Sequence, residues 1–287
     1  MNSLIERTQI ERTTRTYSSE EQLLIQEGGY VSPSDFLLED ILTALSLSKP
    51  VLLKGPSGSG KTRLAQSISA LFHQPMQSVN CSVDLDAEAL LGFKTILTQN
   101  GQSVIEFVDG PVVKAMKHGH ILYIDEINMA KPETLPILHS ILDHRRMLTN
   151  PFTGEVIIAH KDFSVISAIN EGYIGTSPMN EALKNRFVSF SIPYLKMDQL
   201  RTVLETSVPH AKPEIIDILM NLSSDLTKQA ENGLLADEAA SVRSLLDALE
   251  LAVHMPIERA VMYAIAELLE DKMERDLVNE LTATWVK

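Results

Sequence analysis

The sequence predicts an α/β fold, a parallel sheet flanked by helices, followed by a smaller all-α region. Three observations carry this. Apolar runs at 51–53, 121–124, 163–169 and 187–192, with QSVNC at 77–81, read as strands. Their unbroken character suggests strands covered on both faces, as in a parallel sheet. Helical spacing recurs between them: Leu64, Ile68, Leu71 and Phe72 in one segment, Leu135, Leu138, Ile141 and Leu142 in another. Strands alternating with helices make an α/β sheet. After about residue 195 the strand pattern stops, and 197–207, 213–231, 241–254, 257–272 and 275–285 read as helices.

Two stretches interrupt the alternation. Residues 95–107 place Asn100-Gly101 between two strand-like segments, a hairpin signal. Residues 147–160 place Asn150, Pro151 and Gly154 before a β-rich run, a second hairpin signal. The polar start, 1–28, reads as a flexible arm ending at Gly28-Gly29. The expected organisation is therefore an arm at 1–28, an α/β domain at 29–194 with the two hairpins, and a helical domain at 195–287. A charge shift agrees: the last 93 residues carry 9 Lys+Arg against 17 Asp+Glu.

Composition narrows the function classes. The chain has 287 residues, 44% hydrophobic and 22% charged, which excludes a disordered or fibrous polypeptide. A net charge of −13 argues against a dedicated binder of nucleic-acid backbone. The single cysteine, Cys81, allows no intrachain disulfide and no thiolate metal knuckle, and reads as a small core residue. The start lacks an apolar leader and no window holds 18 consecutive apolar residues, so a cytoplasmic protein with no membrane insertion is expected. His118 and His120 flank a glycine before a strand and read as loop residues, and Trp285 reads as packing of the last helix.

The strongest chemical signal is GPSGSGKT, comprising Gly55, Pro56, Ser57, Gly58, Ser59, Gly60, Lys61 and Thr62. It fits G-x-x-x-x-G-K-[ST] and lies where that pattern must lie, after a strand and at a helix start. Glycines let the backbone curl so that successive N–H groups point at phosphate oxygens, and the helix N-terminus adds its positive dipole end. Lys61 suits the β- and γ-phosphates of a nucleotide, and the Thr62 hydroxyl suits Mg²⁺.

The second signal is ILYIDEIN at 121–128, an apolar strand that ends in two carboxylates. The C-terminal ends of parallel strands are where ligands bind. Asp125 suits Mg²⁺, through water, and Glu126 suits the general base that polarises an attacking water. Asn170 ends the strand 163–169 and suits placement of that water. Arg186 precedes the last strand, where an exposed arginine can act on a neighbouring subunit's γ-phosphate. Arg243 lies in the first turn of a helix with Ser241 as its cap, and can touch the nucleotide from the helical domain.

These motifs, in this order, resemble the P-loop AAA+ ATPases of MoxR type, and within them the NorQ/CbbQ group. The resemblance covers roughly 30–255 and includes EFVDGPVVKAMKHGHILYIDEI at 106–127 and GEVIIAHKDFSVISAINEGY at 154–173. The hairpins match that branch's two insertions. Ser59 and Glu171 depart from the group's usual residues. The resemblance implies a hexameric ring with ATP and Mg²⁺ between subunits, Walker A at Gly55–Thr62, and Walker B at Asp125 and Glu126. It implies sensor 1 at Asn170, an arginine finger at Arg186 and sensor 2 at Arg243, with the 195–287 domain as a lid. Asn80 falls where such proteins carry a residue restraining the catalytic glutamate, and Arg145 and Arg146 fall near the subunit interface. Members of the group are activating chaperones that work with a separate protein bearing a von Willebrand factor A (VWA) domain on a target enzyme. Two other functions fit the same core. A nucleic-acid motor is disfavoured by the acidic total. An assembly scaffold, as in gas-vesicle formation, is disfavoured by having both Glu126 and Arg186.

Overall fold

The computed structural model describes residues 3–34, 36–81, 85–99, 102–170 and 179–286. The chain divides into two compact units. The first holds Met1–Tyr30, Ser34–Gly55 and Lys61–Ser191; the second holds Val31–Pro33, Pro56–Gly60 and Ile192–Lys287.

In the first unit the order is α1 (Ser3–Thr13), α2 (Ser19–Gln22), α3 (Leu37–Ser46), β1 (Val51–Gly55), α4 (Lys61–Phe72), β2 (Met76–Asn80) and α5 (Ala87–Leu91). Next come β3 (Gly92–Gln99), β4 (Gln102–Asp109), α6 (Pro111–His118), β5 (Ile121–Asp125), α7 (Leu135–Leu142), β6 (Met147–Thr149) and β7 (Val156–Ile158). β8 (Ser164–Asn170), α8 (Glu181–Lys184) and β9 (Val188–Ser191) complete it.

Five strands form one parallel sheet in the order β2-β5-β8-β1-β9. Every segment expected as a strand is in it. The three central strands are buried through Leu52, Leu53, Ile121, Leu122, Ile166 and Ala168, which is why their sequences run apolar rather than alternating. Register sets the site: Gly55 pairs with Asn170, and Asn80 pairs with Asp125, so the functional positions share one edge. The two expected hairpins are present as antiparallel pairs outside the main sheet, β3 with β4 and β6 with β7. The Asn100-Gly101 turn and Glu171 lie outside the described residues.

Helices the sequence reading did not name include α3 and α6; α6 starts with Pro111 at its first turn and stops at Gly119 in the left-handed conformation.

The N-terminal segment corrects the expected flexible arm. α1 buries Ile5 completely, and Arg12 is only 4% exposed. The Arg12 guanidinium donates to Gln74 Oε1 at 2.6 Å and Ser164 Oγ at 3.3 Å, and lies 4.4 Å from the Phe72 ring centroid. Arg15 pairs with Asp162 at 3.0 Å. The segment is polar because it is fixed by polar contacts, not because it is loose.

The second unit contains α9 (Met197–Ser207), α10 (Pro213–Glu231), α11 (Val242–Ala252), α12 (Ile257–Ala264) and α13 (Lys272–Trp285) around its own core, including Leu204, Leu219, Leu222, Leu249 and Val261. The expected single helix over 257–272 is broken. A 3₁₀ turn, Ala266–Leu268, follows α12; Leu269 is extended and buried; and Asp271 caps α13 by accepting from the Met273 N–H at 2.7 Å. An aspartate is favoured as a cap over a helix interior, so the chain restarts there. Trp285 donates its indole N–H to Asp225 on α10 at 2.9 Å, tying down the last helix.

Candidate nucleotide site

The glycine-rich loop grows out of β1 and feeds α4. Gly58 and Gly60 take φ of +73° and +89°, values that side chains rarely adopt. Lys61 is the first residue of α4, buried to 6% exposure, with its ammonium donating to the Gly55 carbonyl at 2.9 Å. Among the described residues the buried Ser59 hydroxyl has no hydrogen-bond partner. A buried cation, a buried unsatisfied hydroxyl and a curled glycine backbone at a helix N-terminus together fit a bound phosphate chain.

The loop residues Pro56–Gly60 group with the helical unit, not with the α/β domain to which the sequence assigned them. Contacts within that unit explain it. A Cβ at Gly58 would meet the Ser241 Cβ at 2.6 Å, and the Tyr194 hydroxyl donates to the Ser57 carbonyl at 3.2 Å. Ser241 caps α11, accepting from the Ser244 N–H at 3.1 Å. The first turn of α11, which carries the exposed Arg243, therefore begins against the glycine loop. Tyr194 and Ser241 belong to this arrangement, and only the cap was legible in sequence.

At the end of β5, Asp125 and Glu126 separate in role. The Tyr123 hydroxyl lies 3.1 Å from Thr62 Oγ1. Burial raises the pKa of this phenol, the charge of Asp125 adds to that, and the Thr62 hydrogen bond opposes it. Thr62 and Asp125 thus converge on one buried phenol and offer two hard oxygen donors, a set that suits Mg²⁺. Sequence reasoning missed Tyr123; its signal is a hydroxyl inside an otherwise apolar strand.

Glu126 is in the left-handed region at φ 51° and ψ 41°. Such a conformation costs a non-glycine residue about 1–3 kcal/mol and clusters at working sites. It is held by the Glu126 N–H donating to Asp125 Oδ1 at 3.1 Å, and by the Asn170 amide donating to Glu126 Oε1 at 3.3 Å. Among the described residues, the side chain that hydrogen-bonds Glu126 is Asn170 of β8. Asn80, on the far side of β5, is exposed.

Arg186 is not brought to these carboxylates. Among the described residues its guanidinium donates to the Ala182 carbonyl, one turn back on α8, and its charge faces His139 of α7. Burial, with that charge second, lowers the His139 pKa. Arg145 pairs with Asp143 at 3.0 Å. Arg146 is half-buried and donates to the carbonyls of Phe163 at 2.6 Å and His160 at 3.1 Å, which occupies it inside its own chain. Cys81 is fully buried; desolvation first, then the Asp125 and Glu126 charges, push its thiol up to about 12, which fits a core residue.

Residues 50–187 match the AAA domain, dynein-related subfamily. The uncharacterized protein YojN of Bacillus subtilis (strain 168) is 57% identical over 267 residues, covering 93% of this chain and 88% of that protein. The uncharacterized protein SH1500 of Staphylococcus haemolyticus is 54% identical over 251 residues, 87% of this chain and 95% of that one. The chain belongs to one family with these two proteins, and its residues 50–187 form an AAA domain on the AAA+ P-loop fold. With this domain the chain is an ATPase, converting ATP and water to ADP and phosphate.

Solved structures agree in fold. NtrX from Brucella abortus in complex with ATP superposes with a TM-score of 0.54 at 16% identity, over 98% of this AAA+ chain and 73% of that one. A second NtrX structure gives 0.55 at 17% identity; it aligns with 87% of this chain, which spans only about half, 55%, of that one. A mutant of RuvB from Thermotoga maritima gives 0.52 at 14% identity, over 84% and 71%. Among the described residues no helix is long and apolar enough to cross a membrane.

Proposed function

We propose that this AAA+ ATPase is a ring-forming, Mg²⁺-dependent machine of MoxR type that spends ATP hydrolysis on remodelling or activating a target protein, together with a VWA-domain partner. The observation that carries the hydrolytic part is the Asn170–Glu126 hydrogen bond at the ends of neighbouring strands. It holds a carboxylate in a conformation it would not adopt unaided.

In this reading Gly55–Thr62 cradles the phosphates and Lys61 holds the β- and γ-oxygens. Thr62 and Asp125 hold Mg²⁺, which neutralises charge on the phosphates when bound. Glu126 takes a proton from water as the water oxygen bonds to the γ-phosphorus. The bond to the β–γ bridging oxygen breaks and ADP leaves. Asn170 orients Glu126. Arg243, at the start of α11, senses the nucleotide. Arg186 acts on a neighbouring subunit's nucleotide from its place between α8 and β9.

Protein remodelling is favoured over a nucleic-acid motor by the β3–β4 hairpin. It exposes Phe93, Ile96, Val104 and Ile105 at 51%, 70%, 40% and 69%. An apolar surface of this kind suits a polypeptide better than a phosphate backbone.

Glu126→Gln tests the central chemistry. ATP binding should persist within a few-fold, while turnover falls by roughly 10²–10⁴, the usual worth of a general base. Turnover at the unaltered rate would remove Glu126 from that role.

A further inference from the structure

A second cluster of metal-ligand type lies away from the nucleotide chemistry. Among the described residues, Glu21, His118 and His120 place three ligand atoms within 4.8 Å of one another. Glu21 Oε1 lies 3.2 Å from His118 Nδ1 and 3.0 Å from His120 Nε2. Two ligands on a tetrahedral ion with bonds of about 2.0–2.1 Å stand roughly 3.3 Å apart, so the cluster needs little movement to close on a metal.

The local fold builds this arrangement. His118 ends α6 and Gly119 turns the chain at φ +64°. The reversal puts both imidazoles on one side, with ring centroids 5.6 Å apart. Arg15 fixes the turn, donating to the His118 carbonyl at 2.8 Å, and its charge is paired with Asp162. Glu21 is aimed by a capping box: its Oε2 accepts from the Ser18 N–H at 2.9 Å, which leaves Oε1 facing the two rings. The Gln77 side-chain amide lies 3.4 Å from His120 Nδ1. Rotated to present its oxygen, it would accept from Nδ1–H and leave Nε2 as the ligand, the outer-sphere support that metal-bound histidines use. His120 is buried at 2% exposure and His118 is open at 55%, so the cluster has a closed back and a solvent entrance.

We propose that Glu21, His118 and His120 form a binding site for a borderline divalent metal, Zn²⁺ or a chemically similar ion such as Co²⁺ or Ni²⁺, with water completing the shell. Two imidazoles and one carboxylate favour these ions over Mg²⁺ or Ca²⁺, which take oxygen donors. The role is structural. His120 immediately precedes β5, whose opposite end carries Asp125. The metal therefore sits a full strand length from the Walker B carboxylates and joins the N-terminal segment to the α6–β5 turn.

The test uses the full, tag-free chain stripped with a chelator. Titration with Zn²⁺ by calorimetry, and with Co²⁺ by visible absorption, should show one ion per chain with a dissociation constant on the order of micromolar or tighter. Zn²⁺ should raise Tm by a few degrees. His118→Ala and Glu21→Gln, one exposed and one half-buried, should each weaken binding at least tenfold, erase the Tm gain, and leave Mg²⁺-ATP turnover within twofold. No stoichiometric binding would overturn the site. Binding that survives both variants would also overturn it, by locating the ion elsewhere.

Discussion

The nucleotide edge of the sheet and the N-terminal segment differ in how their sequences encode them. At the sheet edge each functional group sits at the end of a buried strand or the start of a helix, and local pattern announces it. GPSGSGKT and ILYIDE are contiguous, and each position is fixed by its own backbone. The N-terminal segment is held by partners far along the chain. Arg12 meets Gln74 and Ser164, and Arg15 meets Asp162, at separations of 62, 152 and 147 residues. Its polar sequence looks like that of a solvated arm. Polarity reports exposure only where the polar groups lack partners, and partners at long range leave no local mark.

The largest effect expected on the sheet-edge side is that of Lys61→Ala. Removing the buried ammonium should abolish measurable ATP binding in a fluorescent-nucleotide titration and cut turnover by roughly 10²–10³. Retained affinity would mean that the loop's backbone alone holds the phosphates. Gly58→Ala comes next. The new Cβ would sit 2.6 Å from Ser241 at a φ of +73°. The left-handed backbone alone costs about 1–2 kcal/mol, so ATP affinity should fall roughly tenfold or more. Normal affinity would separate the loop from the cap of α11.

The smallest effect lies at the N-terminal segment. Arg12→Met removes a guanidinium that burial pulls down to about 10 and strands Gln74 Oε1. Thermal unfolding should show a loss of about 1–3 kcal/mol, with ATP affinity unchanged. An unaltered Tm would restore the loose-arm reading and erase the contrast between the two regions.

Much of the fold was legible for a physical reason. All five strands of the main sheet and both hairpins came from apolar runs and turn residues, because burial and turn geometry act on neighbours in sequence. The places of Lys61 and Thr62 at a helix start, and of Asp125, Glu126 and Asn170 at strand ends, were legible for the same reason. Tyr123, Tyr194 and the Gly58–Ser241 approach were not, since each depends on which elements pack together. The break after Ala264 was missed because apolar spacing continued through it, while Asp271 offered a cap that outweighed that continuity. The pairing of His118 and His120 with Glu21 was missed because the third ligand lies about 100 residues away from the H-G-H turn.

The most direct measurement is ATP turnover per chain as protein concentration is raised, for wild type and for Arg186→Ala. The account predicts a steep rise for wild type that Arg186→Ala loses, with the variant lower by about 10³ or more at saturation, as for an arginine supplied in trans. Equal, concentration-independent rates for both, from a chain that sizes as a monomer, would contradict it.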